Sequence, residues 1–411
     1  MSYASVVWCR KTEQNTTISK LSSLQRTACL IVTGAMSTSP TAALEALLNL
    51  PPLHLYIGKE AKASMYRVTS GEAKTWLSNN LRSLQTSVHD IPILGMPTDT
   101  MPPKYIPTGN YTVEIPNRDD WTNGQIKWKD GSLRWYTDGS KSGDEVGCGI
   151  YGETPRRTMS LNLGRYSSIF QAEVYAILEC ATANLQSNYL NHTIYIHSDS
   201  QAALLALASD MTKSRLVENC KQILNTLGIN NRVILRWVPG HAGHEGNERA
   251  DELARLGAKS AQFGPEPICG IPKSLAQLTL KTHCHHAAIQ LWTNTPGMNQ
   301  SKALIKAYNK KASMDAIALT KNNLRILVRA LTGHCGLNRH MHLLGNSSTK
   351  TCRMCEEDDE TPLHILTECP ALMRYRSSLL GKHQMNPEEV KNLTAKKTLQ
   401  FLEAVNLGCE L

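Results

Sequence analysis

The sequence runs to 411 residues and carries 44 Lys and Arg against 35 Asp and Glu, a formal net charge of +9. Its apolar fraction of 41% is ordinary for a globular protein and excludes wholesale disorder, while the length allows two or three units with separate cores. Apolar runs such as Ala28 to Val32 are far too short for a membrane span, and the start, Met1-Ser2-Tyr3-Ala4-Ser5, lacks the basic-then-apolar layout of a signal peptide. An intracellular protein, nuclear or cytoplasmic, without a membrane partner is therefore expected.

The first seventy residues read as helical, with Leu21, Leu24 and Ala28 on one face and a second apolar segment from Ala42 to Leu48. Six prolines between Ile91 and Pro116 read as a linker. The pattern then changes. Strands are expected at Leu133 to Asp138, Gly147 to Tyr151, Met159 to Leu163, Thr193 to His197 and Arg232 to Val238. A helix is expected from Phe170 to Leu185, because Phe170, Val174, Ile177, Leu178, Ala181 and Leu185 recur at helical spacing. Three strands followed by strand–helix alternation imply an α/β fold, a mixed sheet covered by helices.

From Gly264 onward the chain reads as helical and basic. Between Ile271 and Lys350 there are eleven Lys or Arg and one acid, Asp315. Lys302, Lys306 and Lys310 form one four-residue ladder, and Lys321, Arg325 and Arg329 form another. Either ladder alone could be a solvated helix face; together they suggest contact with phosphates, including those of single-stranded nucleic acid.

Twelve cysteines in a long chain of this kind do not suggest a disulfide scaffold. Cys29, Cys148, Cys180 and Cys220 stand singly in apolar surroundings, as small buried hydrophobes do. Cys352, Cys355, His364 and Cys369 are different: three thiols and one imidazole are a closed donor set for one structural Zn²⁺. The alternative is free thiols in a helical tail.

Four acids carry the chemistry. Asp138 and Asp199 are expected at the carboxyl ends of two strands, where the ligand crevice of an open α/β sheet lies. Glu173 borders the apolar stripe of its helix, a costly place for an unpaired carboxylate. Asp251 lies near the start of a later helix. Each alone has a plain explanation, such as a turn or a helix N-terminal charge. Converging, they would repel one another unless divalent metal held them, and oxygen-only donors favour Mg²⁺ or Mn²⁺. Two such ions roughly 4 Å apart serve phosphodiester hydrolysis.

The segments Tyr136-Thr137-Asp138-Gly139-Ser140-Lys141, Phe170-Gln171-Ala172-Glu173-Val174, His197-Ser198-Asp199-Ser200-Gln201 and Trp237-Val238-Pro239-Gly240-His241 through to Asp251 resemble type 1 ribonuclease H, in that family's order and spacing. The resemblance covers Gly131 to about Ser260, nearly a third of the chain. It implies a five-stranded mixed sheet flanked by helices, two-metal-ion hydrolysis of the RNA strand of RNA/DNA hybrids to 3′-hydroxyl and 5′-phosphate ends, and Asp138, Glu173, Asp199 and Asp251 as the metal-binding acids. It also implies that His241 is the family's mobile histidine, and that Gly139, Ser140, Gln171 and Ser200 lie near the hybrid backbone, where the RNA 2′-hydroxyl can be read. His244 matches no role and is expected at the surface. One departure is the short Ala208 to Asn219 stretch, where some family members bear a long basic insertion.

The order of this domain, a basic helical region and a CCHC knuckle resembles the C-terminal end of non-LTR retrotransposon polyproteins of arthropod type, and Leu24 to Leu53 resembles the last, thumb-like part of their reverse transcriptase. The implied division is a thumb remnant at 1–75, a linker at 76–130, the nuclease at 131–261, basic helices at 262–349, the knuckle at 350–371 and a tail at 372–411. No polymerase partner is identified. The competing reading is an inactive retroelement fragment that binds nucleic acid through its basic helices and knuckle. A transposase or junction resolvase of related fold is disfavoured by His241 and Gly246-Asn247-Glu248.

Overall fold

The computed structural model describes residues 5–70, 84, 86–261 and 264–407. The boundaries expected near residues 75 and 262 and the last residues of the tail lie outside these. The chain divides into two compact units, one of residues 62–279 and one combining residues 1–61 with 280–411.

Among its described residues the 62–279 unit contains eight strands: β1 (Thr100–Tyr105), β2 (Tyr111–Glu114), β3 (Leu133–Ser142), β4 (Glu145–Thr154), β5 (Arg157–Gly164), β6 (Thr193–Ser198), β7 (Met211–Ser214) and β8 (Arg232–Trp237). Six form one mixed sheet in the order β2-β8-β6-β3-β4-β5, and β1 pairs with β7 in a separate ribbon. β2, β8, β6 and β3 run parallel, whereas β3, β4 and β5 are antiparallel. The middle strands are buried on both faces: all of β6 is buried, as are Val233 to Arg236 of β8.

Two expectations need correcting here. The sheet has six strands rather than five, and the added strand, β2, comes from the proline-rich stretch expected to be a linker. Prolines suit the flanks of such a short edge strand, since an edge leaves amide positions that need no partner. The same stretch also supplies β1 and a short helix, Arg118–Thr122, closed by a capping box between Asn117 and Asp120. The second correction concerns Asp138, which does not end its strand. β3 runs on to Ser142, but its pairing with β6 stops at Thr137 opposite Ser198, so Asp138 sits where the parallel part of the sheet ends.

Helix Glu245–Lys259 lies directly on β4, and glycines permit it. A Cβ at Gly147 would come within 2.1 Å of the Ala258 nitrogen, and one at Gly149 within 2.2 Å of the Ala250 oxygen. That close approach sets the position of Asp251. Helix Ile169–Gln186 packs in the same core through Val174, Ile177, Cys180 and Ala181, against Ile194 and Ile196 of β6. Each Val or Ile among them contributes roughly 1.5–3 kcal/mol by leaving water.

The other unit is helical, around Leu44, Ala46, Trp292, Leu327, Val328, Ile365, Phe401 and Leu402. This core draws on stretches expected as thumb remnant, basic region, knuckle and tail alike. The first lysine ladder is not a helical face. Helix Asn299–Leu304 ends before Lys306, and Lys310 opens a new helix, Lys310–Ile317. Between them Tyr308 takes a left-handed φ of 51° and donates its amide to the Ala46 carbonyl at 2.8 Å. Lys302 donates to the Thr293 and Thr295 carbonyls at 3.1 and 2.5 Å, which caps the preceding helix. The second ladder does share one helix, Lys321–Thr332, though Arg329 is half-buried. Among the described residues, no helix is long and apolar enough to cross a membrane.

Candidate active site

Asp138 on β3, Glu173 on helix Ile169–Gln186 and Asp199, just past β6, converge until one oxygen of each lies within 4.8 Å of the others. Asp251 stands beside this trio, close enough for its charge to raise Asp138, and is held by an ion pair of 2.6 Å to Arg255. All four acids line one cleft of about 370 Å³, together with Ser140 and His241. Among the described residues, neither lysine nor arginine forms an ion pair with Asp138, Glu173 or Asp199.

The electrostatic consequence is large. Burial, then the charges of Asp199 and Asp251, pushes the Asp138 carboxyl up to about 8. Burial and the charges of Asp138 and Asp199 likewise raise Glu173. Burial also raises Asp199, opposed by a hydrogen bond from the Asn247 side chain and by the proximity of His241. Buried like charges without balancing cations are the donor chemistry of a divalent metal centre, and all-oxygen donors suit Mg²⁺ or Mn²⁺.

Local backbone features make this convergence possible. The Gly139 backbone amide faces Asp138 and Glu173 and favours the charged form of both carboxyls. A Cβ there would lie 2.8 Å from the Glu173 nitrogen, so only glycine lets β3 meet the helix this closely. A Cβ at Gly240 would lie 2.5 Å from Asp199 Oδ2. Ser198 turns its hydroxyl towards Glu173 Oε2 at 3.5 Å and accepts the Ser200 amide at 3.1 Å.

Of the residues expected near a hybrid backbone, Gly139 and Ser140 line the cleft. Gln171 does not. It is wholly buried, closes the capping box of its helix with Ser168, and donates Nε2 to the Gly270 carbonyl at 3.0 Å. Those bonds occupy its amide in holding the fold, which corrects the expectation of a substrate contact. Ser200 caps helix Gln201–Ala208 by accepting the Ala203 amide. His244 is half-buried rather than on the surface, packed edge-on against Trp121 with ring centroids 4.7 Å apart. Sequence reasoning gave Asn247 no part at the acids and missed Trp121 and Trp128. The two tryptophans were a usable signal, because rings of that size are seldom left in a solvated linker.

The cysteine–histidine set also assembles. Ligand atoms of Cys352, Cys355, His364 and Cys369 all lie within 4.8 Å of one another. The Cys352 and Cys369 sulfurs are 4.0 Å apart, and Cys355 Sγ is 3.3 Å from His364 Nε2. Arms of about 2.3 Å from a tetrahedral Zn²⁺ would fit such spacings. Burial raises Cys352 and pushes Cys369 up to about 12, whereas Cys355, despite its own desolvation, is brought down to about 7 by the Glu357 and Asp358 amides and by His364. His364 Nδ1 is buried without a hydrogen bond, 3.8 Å from Glu368 and 4.0 Å from Asp358, which leaves Nε2 for a metal. The buried Arg376 ties this corner to the tail through the Ile365, Cys369 and His383 carbonyls.

The order of strands, the converging acids and the glycine-lined helix contacts agree with a match of residues 130–259 to the RNase H family model. Residues 130–259 are an RNase H domain. Proteins named ribonuclease H are similar to parts of this chain. That of Mesorhizobium japonicum is 47% identical over 58 residues, 14% of this chain and 33% of its own. Those of Rhizobium johnstonii and a Jannaschia species are 51% and 56% identical over 43 residues, each 10% of this chain and 28% and 27% of their own. The chain thus spans a third or less of the length of these relatives.

Proposed function

We propose that this protein is a ribonuclease H that hydrolyses the RNA strand of RNA/DNA hybrids, and that it works inside the cell as the C-terminal part of a non-LTR retroelement polyprotein. The observation that carries the reading is the convergence of Asp138, Glu173 and Asp199, with Asp251 alongside, in an open cleft. The order of an RNase H domain, basic helices and a CCHC cluster supports the retroelement setting.

The four acids would hold two Mg²⁺ or Mn²⁺ ions, which when bound supply an activated water and stabilise the leaving oxygen. The chain's own residues do the rest. Asn247 beside Asp199, and the Gly139 amide beside Asp138 and Glu173, favour the ionised carboxylates that a metal needs. His241, exposed at the rim of the cleft, would carry a proton to or from the departing end. Ser140 and the backbone at Gly139 line the wall along which the hybrid would lie. The Cys352, Cys355, His364, Cys369 set is assigned to Zn²⁺ in a structural role, since four protein donors leave no open position.

A substrate panel tests the reading: strand-labelled RNA/DNA hybrid, single-stranded RNA, duplex RNA and duplex DNA, each with Mg²⁺. Loss of the RNA strand in the hybrid alone, leaving 3′-hydroxyl ends, is the expected result. Equal cleavage of single-stranded RNA, or cleavage of the DNA strand, would refute it.

A further inference from the structure

Residues 238–244 lead from β8 into helix Glu245–Lys259 and carry His241 in a left-handed conformation, φ 53°. At its start this loop is bound to the strand of Asp199: the Val238 amide donates to the Ser198 carbonyl at 3.1 Å, and Trp237 Nε1 donates to the Asp199 carbonyl at 3.0 Å. Both ends of the loop also meet a single side chain from residues outside the RNase H match. Trp121 donates Nε1 to the Trp237 carbonyl at 3.1 Å, where the loop begins. Its ring packs edge-on against His244, where the loop ends, at 4.7 Å and 62°.

Trp121 is itself well seated. It is 8% exposed, on the short helix closed by the Asn117–Asp120 capping box. Its ring meets Trp128 edge-on at 6.2 Å, and Trp128 Nε1 donates to Nε2 of the buried His197 at 3.3 Å. That bond makes Nε2 an acceptor, which leaves Nδ1 to donate to the Trp135 carbonyl at 2.9 Å. One side of the brace therefore rests on the strand leading into Asp199, and β2, just before it in the chain, pairs with β8 itself. The crest of the loop is left exposed at His241 and Ala242.

We propose that Trp121 is a positioning residue for His241: one indole fastens both ends of the loop, so that the histidine moves over Asp199 without the loop drifting from the cleft. The inference deepens the ribonuclease reading and rests on it for its catalytic half. It also makes residues 111–128 a working part of the nuclease, although they precede the matched domain.

The test uses the full chain. Trp121→Ala removes both fastenings, Trp121→Phe keeps the ring contact and loses the hydrogen bond, and His244→Ala releases only the far end. Steady-state cleavage of the hybrid should show kcat lowered about tenfold or more in Trp121→Ala with KM within about twofold, because a displaced catalytic group slows the step after binding. Trp121→Phe and His244→Ala should fall between it and the unaltered protein. Hydrogen exchange, read without any activity, should quicken about tenfold at the amides of residues 240–244 and stay unchanged in β3 and β6. Unchanged kcat and loop exchange in Trp121→Ala would overturn the proposal. So would exchange that rises evenly through the sheet, which marks a core residue only. Should Trp121→Ala not fold, the same two readouts on Trp121→Phe and His244→Ala decide, with unaltered values in both counting against it. An unaltered protein that leaves the hybrid intact would refute the ribonuclease reading instead, while the exchange result still judges the brace.

Discussion

The carboxylate cleft gathers candidate metal ligands from distant parts of the sequence and the cysteine–histidine cluster from one short stretch, and the two sites differ in chemistry as well. The acids are hard oxygen donors at an open cleft, with Asp251 set slightly apart and held by Arg255. The thiols and imidazole are mostly buried, close around a single point, and belong to the core of their unit: Cys352 and Cys369 pack with Ile365 and Leu372. A metal in the first place would be free to bind water and substrate. In the second it could only hold the fold. The comparison teaches that ligand count alone does not separate catalysis from structure; donor chemistry and closure do.

The largest effect expected from breaking this contrast is in the closed cluster. Cys352→Ser should abolish binding of one Zn²⁺ per chain and lower the melting temperature of the helical unit by about 10 °C. Hybrid cleavage at 25 °C should stay within about threefold. Zinc content, calorimetry and the cleavage assay together check this, and loss of cleavage at unchanged stability would contradict the division of labour.

A smaller effect is expected at the open centre from a single methyl group. Gly240→Ala would place its Cβ 2.5 Å from Asp199 Oδ2, so the carboxylate or the loop must shift. Cleavage should fall about tenfold, with the Mg²⁺ concentration at half-maximal rate moved upwards. A Mg²⁺ titration of the initial rate reads both.

The smallest effect is thermodynamic. Burial and neighbouring charges raise the Asp138 carboxyl to about 8 and raise Glu173 in the metal-free protein. The folded state then binds those protons more tightly than the unfolded chain. This stability is fully present below about pH 4 and is lost as pH rises towards 8. In chelator, the melting temperature of the RNase H unit should drop by a few degrees over that range, and Asp138→Asn or added Mg²⁺ should flatten the slope. A rise instead of a fall would show that the acids are not the repelling cluster described.

These features were unequally legible in the sequence. The acids at the ends of β6 and the parallel part of β3 were readable because short stretches rich in β-branched and aromatic residues lead into them, and the Cys352 to Cys369 spacing was readable because tight ligand sets leave a short pattern. β2 was hidden. Four residues between prolines carry too little periodicity to register, and what makes them a strand is their parallel partner β8, more than a hundred positions away. The Lys302, Lys306, Lys310 ladder misled for a related reason. Spacing cannot show that the helix stops at Leu304, where the chain turns so that Tyr308 can bond to Ala46. Gln171 sits inside the family-like segment, and only the packing of residues 269–270 reveals that its amide is already taken.

The most direct test of the central claim is single-turnover cleavage of a labelled RNA/DNA hybrid across a Mg²⁺ titration, comparing the unaltered protein with Asp138→Asn. The account predicts metal-dependent loss of the RNA strand, reduced at least about 100-fold by the substitution while the protein stays folded and still binds the hybrid. Cleavage that survives Asp138→Asn, or that proceeds equally well in chelator, would contradict it.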